Sequence, residues 1–178
     1  MMWGDPIMRW FHILAGVMWI GLLYFFNFVN AESVKEATAA GEAGPISKYI
    51  MPRALAFFRY AAVVTWIFGA GLLSQPALTH NGVNGFVAAF TLGLLPDQGA
   101  MAPIGIGAWL GTIMLINVWG PIWRNQKKLL GMVPATDEEK AKARRVAFLA
   151  SRVNTMLSIP MLFFMATGPT TLGQGIYH

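Results

Sequence analysis

The sequence predicts an all-α integral membrane protein, with four transmembrane helices, one short interfacial or re-entrant helix, and both termini outside. Three observations carry this reading. Apolar residues make up 56% of the 178-residue chain and charged residues only 12%, about half the charged share of soluble domains, which points to a lipid-facing surface. Four apolar stretches are each long enough to cross a hydrocarbon layer of roughly 30 Å, which takes about 20 helical residues. The basic residues are gathered into segments beside those stretches, as in proteins whose topology is set by loop charge. The same placement explains the net charge of +5 without nucleic acid, which is excluded as a partner.

The first span covers residues 8–28 and lacks a small-residue cleavage site, so it reads as a retained helix and not a signal peptide. The second covers 55–73 and is entered through Pro52, whose fixed φ suits a helix start. The third covers 104–123 and the fourth 146–166, with Pro160 as a candidate kink. Trp10, Trp66, Trp119 and Trp123 stand towards span ends, where indoles favour the interface. Ahead of the fourth span, Thr136-Asp137-Glu138-Glu139 has the form of a capping box with acids at the positive helix end.

Segment 82–95 is too short to span, and charge decides its place. Lys35, Lys48 and Arg53 lie in the loop 30–53, and seven cations from Arg124 to Arg145 lie in the loop 124–145, whereas 74–103 holds no Lys or Arg. Four spans put both basic loops on one side, the cytoplasmic side of a bacterial inner membrane. A fifth would separate them. Segment 82–95 is therefore expected on the outer face. A single domain, 1–178, is expected, with no internal repeat.

Cys is absent, which removes disulfides, thiolate metal sites, Cys nucleophiles and covalent c-type haem attachment. No Ser-His-Asp set, paired carboxylates or phosphate loop is present, so soluble-style hydrolysis has no basis. Ionisable residues inside spans are costly and each is a functional hypothesis. His12 follows Arg9 on the first span; its imidazole could ligate the iron of haem b or another metal, or could hydrogen-bond a neighbouring helix. His80 and His178, the other two histidines, are expected on the same outer side. Arg59 stands seven residues past Pro52, roughly 10 Å along a helix, which puts it at a depth similar to Arg152 and Asn117, with Asn27 and Asn154 nearby. No span contains Asp or Glu. Inward-facing arginines would need a lipid phosphate, a haem propionate or a partner's carboxylate; outward-facing ones would snorkel to the headgroups. Gly107 and Gly111 form a GxxxG, and Gly69 and Gly71 a small-residue face on the second span, both suited to helix packing.

Three stretches, Arg9-Trp10-Phe11-His12-Ile13-Leu14-Ala15-Gly16-Val17-Met18-Trp19-Ile20-Gly21, Asn117-Val118-Trp119-Gly120-Pro121-Ile122-Trp123-Arg124-Asn125-Gln126-Lys127 and the run from Ala150 through Arg152, Asn154 and Pro160 to Met165, together resemble the membrane domain of bacterial PuuD-type urate hydroxylases. The first pattern also occurs in haem-binding HemJ-type protoporphyrinogen oxidases, where the equivalent histidine is taken as a haem ligand. The resemblance implies a redox role at the outer face of an inner membrane, with His12, Arg59, Asn117, Arg124, Asn125, Arg152 and Asn154 as family-pattern positions. Relatives of this kind join more spans to an outward cytochrome c domain. This chain departs from them: it has no CxxCH, and Ala54, Ala56 and Ala61 stand where the family is expected to carry His and acidic residues. The reading that follows is a small subunit of a respiratory or photosynthetic electron-transfer assembly, structural or electron-relaying, in the lipid bilayer beside other membrane subunits or copies of itself. The cofactor-binding candidates are His12, Arg59, Arg152 and Asn117, with His12 the haem or metal ligand. The alternative is a haem-dependent oxidoreductase that uses a separate cytochrome c.

Overall fold

The computed structural model describes residues 4–79 and 81–167; His80 and His178 lie outside them. Four helices are long and apolar enough to cross a membrane: α1 (Pro6–Ala39), α2 (Ala43–Leu73), then, after the short α3 (Gly85–Phe90), α4 (Gly99–Leu129) and α5 (Asp137–Thr167). They contain the four expected spans, and among the described residues there is no extended strand. Large apolar side chains such as Val17, Ile116, Met156 and Ile159 point outward from the long helices, which is the surface a bilayer requires.

The helices run past the apolar stretches. Segment 30–53, expected as a loop, is almost wholly helical, because α1 continues to Ala39 and α2 begins at Ala43. Ala, Glu and Lys in this stretch favour helix, with Ala31, Val34 and Ala37 on its less exposed side, and only a tight turn at Gly41, with φ of 77°, reverses the chain. The capping box at Thr136 forms reciprocally. Glu139 N–H donates to Thr136 Oγ1 at 3.2 Å, and Thr136 N–H donates to a Glu139 carboxylate oxygen at 3.0 Å.

The chain divides into two compact units. The first holds, among described residues, 4–14, 64–114 and 156–167; the second holds 15–63 and 115–155. In the first, segment 82–95 is helical only over Gly85–Phe90. Asn84 Oδ1 caps this helix by accepting from Phe86 N–H, and Leu92, with φ of 55°, ends it. Its Ala88 and Ala89 are fully buried and pack with Met101, Leu73, Val83 and Ile104. Gly105 lets α4 approach so closely that a Cβ there would run into the Ala89 carbonyl. The Trp109 indole donates to the Phe90 carbonyl at 3.0 Å. Within this unit, then, α3 is docked on the chain's own helices.

In the second unit, Trp19, Leu23 and Asn27 of α1 are buried at helical spacing, as are Leu55, Phe58 and Ala62 of α2, Val118 and Ile122 of α4, and Ala143, Ala147 and Asn154 of α5. Three stretches widen from α to π turns: Phe25–Asn30, Ile46–Ile50 and Val118–Ile122. The last has a sequence cause. Pro121 has no N–H to give the Asn117 carbonyl, and the Trp123 N–H reaches back five residues to Val118.

Candidate functional site

In the first unit, His12 Nδ1 lies 2.8 Å from the Thr65 carbonyl oxygen. A carbonyl can only accept, so Nδ1 carries the proton and the lone pair of the neutral ring is on Nε2. The ring packs closely on Gly69: a Cβ there would be 2.8 Å from His12 Cε1 and 3.0 Å from Nδ1. Gly71 likewise makes room for Met8, whose sulfur would be 3.1 Å from an added Cβ. The small-residue face of α2 is thus the bed on which the first turns of α1 rest and sets the position of His12, while the Thr65 carbonyl sets its tautomer. Of the GxxxG pair, Gly107 packs on Met165 and Gly111 meets nothing. No group of three or more His, Cys, Asp or Glu among the described residues could hold a metal. Of the groups around His12, the unprotonated Nε2 is the atom that could ligate a metal or a haem iron.

The second unit holds the remaining candidates. Asn117 Nδ2 donates to Asn154 Oδ1 at 3.0 Å, joining α4 to α5. One turn back along α5, Ser151 Oγ accepts from Asn27 Nδ2 at 2.7 Å, and the same Nδ2 donates to the Leu23 carbonyl at 2.9 Å. Asn27 and Asn154 are buried, so α5 carries a small belt of amide and hydroxyl contacts to α1 and α4. Arg59 is half-buried with its guanidinium carbon 3.7 Å from the Trp123 ring centroid, 4.8 Å from Tyr60 and 5.9 Å from Trp119. These distances are within cation–π range. Arg152 is exposed and rests 4.9 Å from the Phe148 ring of its own helix. Asn117 and Arg59 thus both meet the stretch of chain around residues 117–123 or its partner on α5, whereas Arg152 joins neither group, and His12 belongs to the first unit.

Sequence reasoning missed Thr65, Ser151 and Trp19 as members of these groups. Thr65 acts through its backbone, which leaves no sequence signal. Trp19 Nε1, Asn27 Oδ1 and Arg59 Nε are buried with no hydrogen-bond partner among the described residues. An orphaned buried polar atom is uncommon enough in a folded protein to need an explanation.

No curated protein and no solved structure matches the chain. The family match begins at residue 77, so Asn117, Arg124, Asn125, Arg152 and Asn154 fall within it, and His12 and Arg59 precede it. Residues 77–172, more than half of the chain, match the family model described as urate oxidase N-terminal, which together with four membrane-length helices establishes a multi-pass membrane protein that belongs to the urate oxidase N-terminal family.

Proposed function

We propose that this chain is a membrane subunit of a redox assembly in which His12 Nε2 would ligate the iron of haem b. The observation that carries the reading is the His12 Nδ1–Thr65 carbonyl hydrogen bond of 2.8 Å. Ligand histidines typically donate their other ring nitrogen to a carbonyl or carboxylate, which fixes the tautomer and makes the ligating nitrogen more basic. Gly69 supports this by holding the ring against α2 without a side chain of its own. A bound haem would supply reversible one-electron chemistry; the protein's part is to hold Nε2 unprotonated and oriented. The proposal places the basic segments in the cytoplasm and both termini outside, in a bacterial inner membrane, with other membrane subunits or further copies of the chain as partners.

The test is a reduced-minus-oxidised visible spectrum of protein purified in mild detergent. The expected result is a haem b signal in the wild type that is lost in His12→Ala, with helical circular dichroism unchanged. Wild-type protein without haem after expression with haem supplementation would sink the ligand role and leave His12 as a helix-pairing residue.

Family membership supports a second reading, a haem-dependent oxidoreductase related to urate hydroxylases that passes electrons to a separate cytochrome c. Purified protein mixed with urate and oxidised cytochrome c separates the two. Urate-dependent reduction of the cytochrome supports the enzyme, and its absence in haem-loaded protein supports the relay subunit.

A further inference from the structure

The Arg59 guanidinium is packed among aromatic rings and its N–H donors are unused among the described residues. The guanidinium carbon lies 3.7, 4.8 and 5.9 Å from the ring centroids of Trp123, Tyr60 and Trp119, within cation–π range. The N–H donors lie in the plane of the group and are not satisfied by rings. Arg59 makes no ion pair or hydrogen bond with any described residue, and its Nε is buried without a partner. The two helices that form the clamp supply no counter-charge, and the six carboxylates elsewhere in the unit make no ion pair with Arg59. α2 carries Lys48, Arg53 and Arg59 with no carboxylate, and α4 carries Arg124, Lys127 and Lys128 with none. All six cations belong to the second unit. A planar fork packed among aromatic rings and without an ion-pair partner among the described residues suits bidentate binding of an oxyanion. Tyr60 and Trp119 are themselves exposed on a helix surface built for lipid, where Tyr and Trp favour the headgroup level.

We propose that Arg59, clamped between Trp123, Tyr60 and Trp119, is a specific binding site for the phosphate of an anionic phospholipid, with Arg53 and Arg124 adding to the positive field around it. The aromatic rings do two things at once: they hold the guanidinium edge in place, and they offer apolar and amphipathic surface to the glycerol and acyl portions of the same lipid. The site shares no residue with the His12–Thr65–Gly69 group.

The experiment is native mass spectrometry of the full-length protein in mild detergent, titrated with phosphatidylglycerol or with phosphatidylcholine of the same chains. The wild type is expected to bind phosphatidylglycerol roughly tenfold more tightly than phosphatidylcholine, and Arg59→Gln to lose that preference. Arg59→Lys keeps the charge but not the planar fork, and is expected to retain only part of the preference. Arg144→Gln removes an exposed cation of the same unit and is expected to leave it intact. Equal binding of the two lipids by wild type, or an Arg59→Gln protein that still prefers phosphatidylglycerol, would overturn the proposal. Displacement of the lipid by an equal concentration of inorganic phosphate would assign the site to a free anion and also overturn it.

Discussion

In the first unit, Trp66 donates to Thr112 Oγ1 at 2.9 Å, Trp109 to the Phe90 carbonyl at 3.0 Å and His12 to the Thr65 carbonyl at 2.8 Å. In the second, Trp19 Nε1, Asn27 Oδ1 and Arg59 Nε are buried with no partner among the described residues. All three π-widened stretches also belong to the second unit. The first unit matches its polar groups and draws α3 and α4 together over small residues such as Gly105 and Ala89, which is packing for stability. The second carries unmet donors and an unmet acceptor beside π turns, which recur at functional positions. Unmet polar capacity in a low-dielectric interior is costly unless something else satisfies it. The difference therefore separates a region that holds one histidine in a fixed tautomer from a region with free capacity to bind.

The largest expected effect lies in the first unit. Gly105→Ala would normally help a helix by up to about 1 kcal/mol, but here the new Cβ meets the Ala89 backbone carbonyl. A backbone atom cannot swing aside, so overpacking is expected to win, with a net loss of about 2 kcal/mol. Thermal unfolding in detergent checks this, and a melting temperature equal to or above that of wild type would show that α3 is not held as tightly as its burial implies.

A smaller effect is expected where the second unit does pair its polar groups. A double-mutant cycle between Asn117→Ala and Asn154→Ala reads the coupling across the 3.0 Å amide bond. Interhelical hydrogen bonds in membranes average about 0.6 kcal/mol, because the separated helices also find partners. A coupling near zero would extend the polar mismatch of the second unit to this pair as well.

The spans were legible because hydropathy and length act over about 20 residues at a time, and the cap at Thr136 because its motif is local. Depth counting along helices was equally informative. It put Arg59, Arg152 and Asn117 at similar depth with Asn27 and Asn154 nearby; the structure joins Asn117 to Asn154 and sets Arg59 against Trp119 and Trp123, whereas Arg152 rests on Phe148 of its own helix. Less was legible where contacts use backbone atoms or helix propensity alone. The partner of His12 is a carbonyl, which any residue at position 65 would offer. The extension of α1 to Ala39 rests on Ala and Glu propensity, which hydropathy does not register. The π turn at Val118–Ile122 is signalled by Pro121, but the one at Phe25–Asn30 contains no proline or glycine to mark it. Of the glycines, spacing singled out Gly107 and Gly111, yet an added Cβ would meet far closer atoms at Gly105 and Gly69 than at either of them.

The smallest expected effect is the sharpest test of the contrast between units. Asn27→Leu removes the 2.7 Å bond to Ser151 and the 2.9 Å bond to the Leu23 carbonyl, but it also removes the orphaned Oδ1. Losing two neutral hydrogen bonds costs roughly 0.6 kcal/mol each in a membrane setting, and relief of a desolvated acceptor returns about 1 kcal/mol. Leu has the same branched four-atom side chain as Asn, with methyls in place of the amide oxygen and nitrogen, and keeps the helix. The two contributions should therefore nearly cancel, leaving a stability change within about 0.5 kcal/mol, the range of substitutions that break no net favourable contact. A loss well above that would mean that Oδ1 is satisfied in the working protein by a bound donor, water or ligand. Asn27 would then join Arg59 as part of the binding surface of the second unit. A neutral result would instead confine that surface to the aromatic clamp around Arg59.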